Sequence, residues 1–148
     1  MGHAQKPVTQ LDIQGNKRTK ARFIKKITKL TIGQPLDSTV IERDMARLIR
    51  LPSIAHAYYH VVNDRQGRGY IVQYGIEENF TLIPFANIFS SSNDDFAFRI
   101  GLQEFNFLGE NMTLGAFYQY DVFNSFGVNI RAPFLFTDRL GLAFNYQD

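Results

Sequence analysis

Two hydrophobic periods run along this chain, and the change between them falls near Phe80. Val8 to Ile13 alternates apolar and polar residues and stops at Gly15-Asn16, a pair that tolerates positive φ, so a short strand ending in a turn is predicted. From Thr19 to Leu30 the apolar Phe23, Ile24, Ile27 and Leu30 recur at helical spacing, with Lys20, Arg22, Lys25, Lys26 and Lys29 on the remaining arc. That is an amphipathic helix with a basic back. Gly33-Gln34-Pro35 breaks it, and Thr39-Val40-Ile41-Glu42 offers a capping box for a second helix, whose stripe is Ile41, Met45, Leu48 and Ile49. This helix ends before Pro52, whose ring clashes with a continuing turn. Ile54 to Val62 and Tyr70 to Glu78 are rich in Tyr, Val and Ile, and Asn63 to Gly69 between them has hairpin chemistry. Ala57, Tyr59 and Val61 should face the same way as Val72, Tyr74 and Ile76. The helices are the available apolar cover, which predicts a three-stranded sheet with both helices on one side. Tyr58, His60 and Gln73 fall on the other, wet face.

From Phe80 onward the period is two. Phe96, Phe98, Ile100 and Leu102 oppose Ala97, Arg99, Gly101 and Gln103, and Met112, Leu114, Ala116, Tyr118 and Tyr120 oppose Thr113, Gly115, Phe117, Gln119 and Asp121. Leu140, Leu142, Phe144 and Tyr146 repeat the arrangement. Turns are expected at Ser90 to Asp94, at Gly109-Glu110-Asn111 and at Thr137-Asp138. Strands of about ten residues, large and apolar on one face and small or polar on the other, have the signature of a lipid-facing barrel wall. The residues from Phe80 supply roughly four or five such strands, whereas the smallest barrels need about eight. The predicted class is therefore α+β: a β-α-α-β-β domain over residues 7–79, then antiparallel membrane-type strands of an incomplete barrel over 80–148.

Composition sharpens the division. Residues 1–79 carry 13 Lys+Arg against 7 Asp+Glu, a balance of 13 − 7 = +6, while residues 80–148 carry 3 against 7, a balance of 3 − 7 = −4. Aromatics divide the other way, 5 before Phe80 and 16 from Phe80 onward, so the two parts were not selected to share one core. No apolar run reaches the roughly 18–20 residues of a transmembrane helix, and the N-terminus lacks the apolar region of a signal peptide. The absence of cysteine removes disulfides, thiol catalysis and Cys-based zinc sites. Met1-Gly2-His3 has the look of a cloning remnant, so a longer natural protein is expected.

Several of these residues fall into a family order. Val8-x-x-Leu11-x-Ile13-x-Gly15-Asn16, a basic helix, Gly33-x-x-Leu36-Asp37 before Ile41-x-x-Asp44-x-x-x-Leu48, and a hairpin ending Glu77-Glu78 together resemble a polypeptide-transport-associated (POTRA) domain. Phe105-Asn106-Phe107-Leu108-Gly109, with Pro133-Phe134-Leu135 some way on, resembles the start of the barrel in the bacterial surface antigen and outer-membrane assembly factor superfamily. The resemblance implies a periplasmic domain that handles unfolded outer-membrane or secreted polypeptides beside an outer-membrane barrel. It places the free edge on Ile54, His56, Tyr58, His60 and Val62, where a client adds a strand through its backbone, with Tyr58 and His60 as side-chain contacts. Phe96, Phe98, Leu114, Tyr118 and Phe144 would face outer-membrane lipid. About ten such side chains left in water, at roughly 2 kcal/mol each, would cost about 20 kcal/mol, more than a domain's net stability. Self-association of the chain through its strands is therefore expected.

Catalytic machinery is not visible. There is no Gly-x-Ser-x-Gly elbow, no phosphate loop and no dinucleotide fingerprint. His56 and His60 in one strand stand about 13 Å apart and cannot share a metal ion. Glu77-Glu78 point to opposite faces, so a solvated strand end is expected rather than an acid/base pair. No cofactor, metal or enzymatic activity is expected. The basic stretch Lys17 to Lys29 suits a solvated face near anionic head groups. Its rival reading as an RNA-binding KH module lacks the second glycine of that module's loop, since the inter-helix turn is Gly33-Gln34-Pro35-Leu36, so no nucleic-acid partner is expected. A secretion transporter with one dedicated passenger, the barrel of a lipase-carrying protein, and a soluble ligand-binding β protein remain the alternatives.

Overall fold

The first part of the chain folds in the order β1 (Val8–Gln14), α1 (Ala21–Ile27), α2 (Ser38–Leu48), β2 (Ile54–Asn63), β3 (Tyr70–Glu78). The second gives β4 (Leu82–Ser90), β5 (Phe96–Phe107), β6 (Met112–Tyr120), β7 (Asn124–Ala132) and β8 (Leu142–Gln147). The computed structural model describes residues 5–90, 96–134 and 141–148. Contacts divide the chain into two units, Met1–Asn79 and Phe80–Asp148. Met1 to His3, the turns expected at Ser91 to Asp94 and Thr137-Asp138, and Leu135, Arg139 and Leu140 lie outside the described residues.

In the first unit the sheet order is β1-β3-β2, with β1 parallel and β2 antiparallel to β3. Gly15 turns the chain out of β1 at φ 80°, and a Cβ there would stand 2.2 Å from the Ile76 carbonyl oxygen, so the position requires glycine twice over. The core holds Val8, Leu11, Val72, Tyr74, Ile76 and Ile54 of the sheet against Phe23, Ile24 and Ile27 of α1 and Ile41 and Leu48 of α2. Both helices lie on that one face. Burial stops before the far end of β2: Val61, expected beneath the helices, is 37% exposed.

Both helices differ from the sequence expectation at their ends. α1 stops at Ile27 instead of Leu30, because Thr28 is extended and the Asp44 carboxylate captures the amides of Lys29 and Leu30, at 2.8 and 3.0 Å, drawing the chain off the helix axis. α2 is capped by Asp37, whose side chain accepts from the Thr39 amide at 2.9 Å, not by a Thr39/Glu42 box. A carboxylate next to Leu36 reaches the first exposed amides two residues earlier than the Thr39 hydroxyl would.

The second unit is one antiparallel sheet in the order β4-β5-β6-β7-β8, open at both edges among the described residues. The expected alternation of β5 and β6 is observed, and two further strands join it. β4 carries apolar residues on both faces and Pro84 on an edge, where a missing N–H is tolerated. β7 follows a turn with neither glycine nor proline, closed by Asp121, whose carboxylate accepts from the Phe123 amide at 3.0 Å.

The Phe105 to Gly109 phrase is a turn device. Leu108 and Gly109 adopt φ 59° and 69°, the Gly109 amide donates to the Asn106 carbonyl at 2.9 Å, and the Asn106 side-chain oxygen accepts from the Asn111 amide at 3.1 Å.

Candidate functional site

The two edges of the small sheet are unequal. Along the start of β1 the 33–36 segment has docked: Pro7 bridges Pro35, the Val8 amide donates to the Gln34 carbonyl at 2.9 Å and the Gly33 amide to the Val8 carbonyl at 2.8 Å. On β2, among the described residues, no strand pairs on the side away from β3. A β-strand edge with its alternate N–H and C=O groups turned outward is a template for another extended backbone.

Ile54, His56, Tyr58, His60 and Val62 all lie on this strand, but they are not equivalent. His56, Tyr58 and His60 form an aromatic row on the face away from the helices, with ring centroids 6.2 Å and 5.6 Å apart, so the phenol ring stands between the two imidazoles. Val62 follows on the same row, exposed. Ile54 departs from it: the register shifts between Ile54 and His56, and Ile54 is a buried core residue anchoring the strand's start. Gly75 pairs with Tyr58, and a Cβ at Gly75 would stand 2.2 Å from the Tyr58 ring. The absent side chain lets the ring lie flat across the neighbouring strand while remaining 42% exposed.

Behind the edge, one buried carboxylate ties the layers together. Asp44 accepts from the amides of Lys29 and Leu30, from the Tyr74 hydroxyl at 2.9 Å and from Arg47 at 3.0 Å. Burial, then the Asp44 charge and the hydrogen bond to it, push the Tyr74 phenol far above the ordinary tyrosine range. The sequence flagged Asp44 only as part of a spacing. Glu78 corrects another expectation. It is not merely a solvated strand end, since its carboxylate accepts from the Thr19 amide at 2.7 Å and the Arg18 amide at 3.0 Å. Partial burial opposes its charge, but these amide bonds, with the Thr19 hydroxyl and the Lys17 amide, outweigh it and hold the carboxyl below its usual range.

In the second unit the register puts the large apolar residues on one face. Phe98 pairs with Tyr120, Ile100 with Tyr118 and with Ala86, Leu114 with Ile130, and Ile130 with Phe144. Phe96, Phe98, Leu114, Tyr118 and Phe144 thus share one side of the sheet. Phe96 is 62% and Phe144 58% exposed, while Leu114 is half-buried and Phe98 is packed by the Tyr118 and Tyr120 rings. The opposite face mixes Phe85, Phe89 and Phe117 with polar side chains that bond to one another. Arg99 stacks 4.5 Å from the Phe117 ring centroid and donates to Gln119 at 2.8 Å, and Gln119 donates to Asp121 at 2.6 Å. Among the described residues no cluster of three or more His, Cys, Asp or Glu could hold a metal ion.

Comparison with known proteins defines the fold. No protein-family model matches the chain. No curated protein matches it either. Among solved structures, it is similar to BamA from Haemophilus ducreyi lacking POTRA domains 1-3, with a TM-score of 0.79 and 17% identity over 96% of this chain and 27% of that one. It is also similar to CdiB from Acinetobacter baumannii, TM-score 0.57 and 12% identity over 96% and 28% of the two chains. CdiB from Escherichia coli gives a TM-score of 0.55 and 15% identity over 86% and 25%. The chain shares the fold of these BamA and CdiB structures, a fold of the kind the resemblance in the sequence implied. The chain spans about a quarter of the length of those structures.

Proposed function

We propose that this chain is part of a non-enzymatic outer-membrane protein assembly or translocation component. In this reading residues 7–79 are a POTRA-like domain in the periplasm, and residues 80–148 are the opening strands of a larger barrel in the outer membrane. The domain captures unfolded outer-membrane or secreted polypeptide by β-augmentation on β2, and Phe96, Phe98, Leu114, Tyr118 and Phe144 turn to lipid. The observation that carries the reading is the inequality of the sheet edges: β1 is docked by its own 33–36 segment, while among the described residues no strand pairs with β2 on its side away from β3, where an aromatic row stands beside the open backbone. Main-chain pairing supplies affinity that tolerates sequence, as clients of many sequences require.

A proline scan of Tyr58 and Tyr59 tests the capture. Neighbouring residues on a strand turn their N–H groups to opposite sides, so one proline removes a bond to β3 and the other removes only an outward donor. The outward variant should stay folded by circular dichroism and lose crosslinking to an unfolded client. Unchanged crosslinking in both folded variants rejects the edge. Likeness to CdiB supports a second reading, export of one dedicated passenger, which predicts capture of a single polypeptide in place of many. In water the exposed apolar face and open edges of the second unit should drive self-association, visible as a multimer in size-exclusion chromatography with light scattering; a clean monomer counts against it.

A further inference from the structure

We propose that β2, when no client occupies it, pairs antiparallel with β2 of a second copy of this chain, about a twofold axis at Tyr59. The pairing needs only the open edge, and its displacement by client rests on the capture reading above. Edge strands are ordinarily protected from one another by lysines, other charges, prolines or bulges. From Ser53 to Asn63 this strand has no Lys, Arg, Asp, Glu, Pro or Gly, and its one irregularity falls at its start, between Ile54 and His56. Tyr58, Val61 and Val62 are exposed along it. An edge whose main-chain pairing tolerates many client sequences has nothing here with which to refuse its own.

The hairpin fixes which backbone groups point outward. The Asp64 amide donates to the Gly69 carbonyl at 2.9 Å, and pairing runs without a shift from Asn63 opposite Tyr70 to His56 opposite Glu77. Hydrogen-bonded pairs alternate along an antiparallel ladder, so Val62, His60, Tyr58 and His56 direct their backbone groups to β3, while Ala57, Tyr59, Val61 and Asn63 turn theirs outward. The Tyr70 amide, bonded to the Pro7 carbonyl on the β1 side of β3, agrees with this phase. With the twofold at Tyr59, that residue meets its own counterpart and Ala57 meets Val61, in pairs that exchange about six backbone bonds in all. On the other face Tyr58 meets His60 and His56 meets Val62, at the sites where side chains of facing strands come closest. Small stands against large and ring against ring, and Val61, which the helices leave exposed, gains a cover. Moving the axis to Tyr58 or His60 shortens the ladder and sets imidazole against imidazole, His56 against His60 or His60 against itself. Ladder length and side-chain fit thus select Tyr59. Contact along one strand edge is far smaller than the roughly 1,200–2,000 Å² of a stable interface, so the pair stays exchangeable.

The chain has no cysteine, so single cysteines report the pairing. Ala57→Cys, Tyr58→Cys, Tyr59→Cys, His60→Cys and Val61→Cys are each oxidised in the full chain in detergent, which covers the apolar face of the second unit. A disulfide needs Cα atoms about 4.4–6.8 Å apart, and facing residues of a hydrogen-bonded pair stand about 5.5 Å apart. We expect Tyr59→Cys to give about tenfold or more the dimer yield of the other four, and excess unfolded client to suppress it. A flat profile, or a maximum at another position, overturns the proposal. Amide exchange in the parent chain reads the same pairing without a substitution. With rising protein concentration the outward amides of Ala57, Tyr59 and Val61 should gain about fivefold protection or more, while those of Tyr58 and His60, already bonded to β3, should not change. Exchange at the outward amides that ignores concentration overturns the proposal as well. A dimer that client leaves intact supports the pairing and strikes the capture reading, whereas client crosslinked to β2 with no dimer in its absence does the reverse.

Discussion

Replacing Asp44 by alanine should come close to dissolving the first unit while leaving the wall intact. Four donors converge on this carboxylate, which is wholly buried. Lys29 is exposed and Arg47 half-buried, so their groups find water once the carboxylate is gone. The Tyr74 hydroxyl has no such recourse, because the residue is fully buried, and the Leu30 amide is only partly accessible. Charge-assisted hydrogen bonds contribute about 1.5–3 kcal/mol each, so losing the two shielded ones costs about 3–6 kcal/mol. A unit of this size is stable by roughly 4–12 kcal/mol. Amide hydrogen exchange in the peptides covering α1 and β3 isolates this unit from the wall, and protection there should fall more than about a hundredfold. Tyr74→Phe alone should cost about 1.5–3 kcal/mol, and less in the Asp44→Ala background, since the hydroxyl then has no acceptor to lose. A loss below about 1 kcal/mol for Asp44→Ala, or strict additivity of the pair, would show that the carboxylate does not organise the fold.

At the strand pair, Gly75→Ala should displace the Tyr58 ring and destabilise the unit by about 1 kcal/mol, whereas adding Tyr58→Ala should recover most of that loss; chemical denaturation of the four variants measures the coupling. Asp37→Ala should cost about 1 kcal/mol of the same unfolding free energy and Thr39→Ala less than about 0.5, the reverse of a capping-box pattern. Ile100→Arg, in the middle of the apolar face, should weaken vesicle association by about 2–4 kcal/mol at a neutral bilayer, and equal partition of variant and parent would deny that this face meets lipid. Acid should loosen the 17–19 turn through Glu78. Its folded carboxyl titrates below the unfolded value of about 4.3, so its stabilisation is complete above that value and is lost as pH falls through the lower folded one. Amide protection at Arg18 and Thr19 should drop in that acidic window in the parent and be flat and low in Glu78→Gln.

Elements were legible in the sequence wherever a single local period determined them. The order of the first unit follows from helical spacing in Phe23, Ile24 and Ile27 and from β-branched and aromatic runs flanked by glycine. Its helix ends did not, because they depend on a partner distant in sequence: the Asp44 carboxylate that ends α1 belongs to α2. In the second unit β5 and β6 could be read because their alternation is bounded by Gly109-Glu110-Asn111. β7 alternates as well, with Phe126, Val128 and Ile130 against Gly127, Asn129 and Arg131, but the turn before it is made by Asp121 bonding across Val122, and no glycine or proline marks that. β4 hides its face altogether, since Phe85 and Phe89 on the polar side look like the outward Leu82 and Ile88. Phe85 is there to lie across Gly101 of the adjacent strand, a relation between strands that no period along one strand carries.

The same distinction explains which parts of the candidate site were legible. Position on β2 followed from a resemblance and from strand order, but Ile54 shows how far a period-two count carries. A bulge between Ile54 and His56 slips the register by one, so the first residue of an apparently uniform row turns into the core while His56, Tyr58, His60 and Val62 stay outside. That slip has a use in the proposed capture. An edge strand that must accept foreign backbone along its length risks peeling from its own sheet, and a buried Ile54 pins one end while the Tyr58 ring over Gly75 clasps the middle. The outward-facing backbone is then left open between two fixed points, which lowers the entropy lost when a client strand pairs with it.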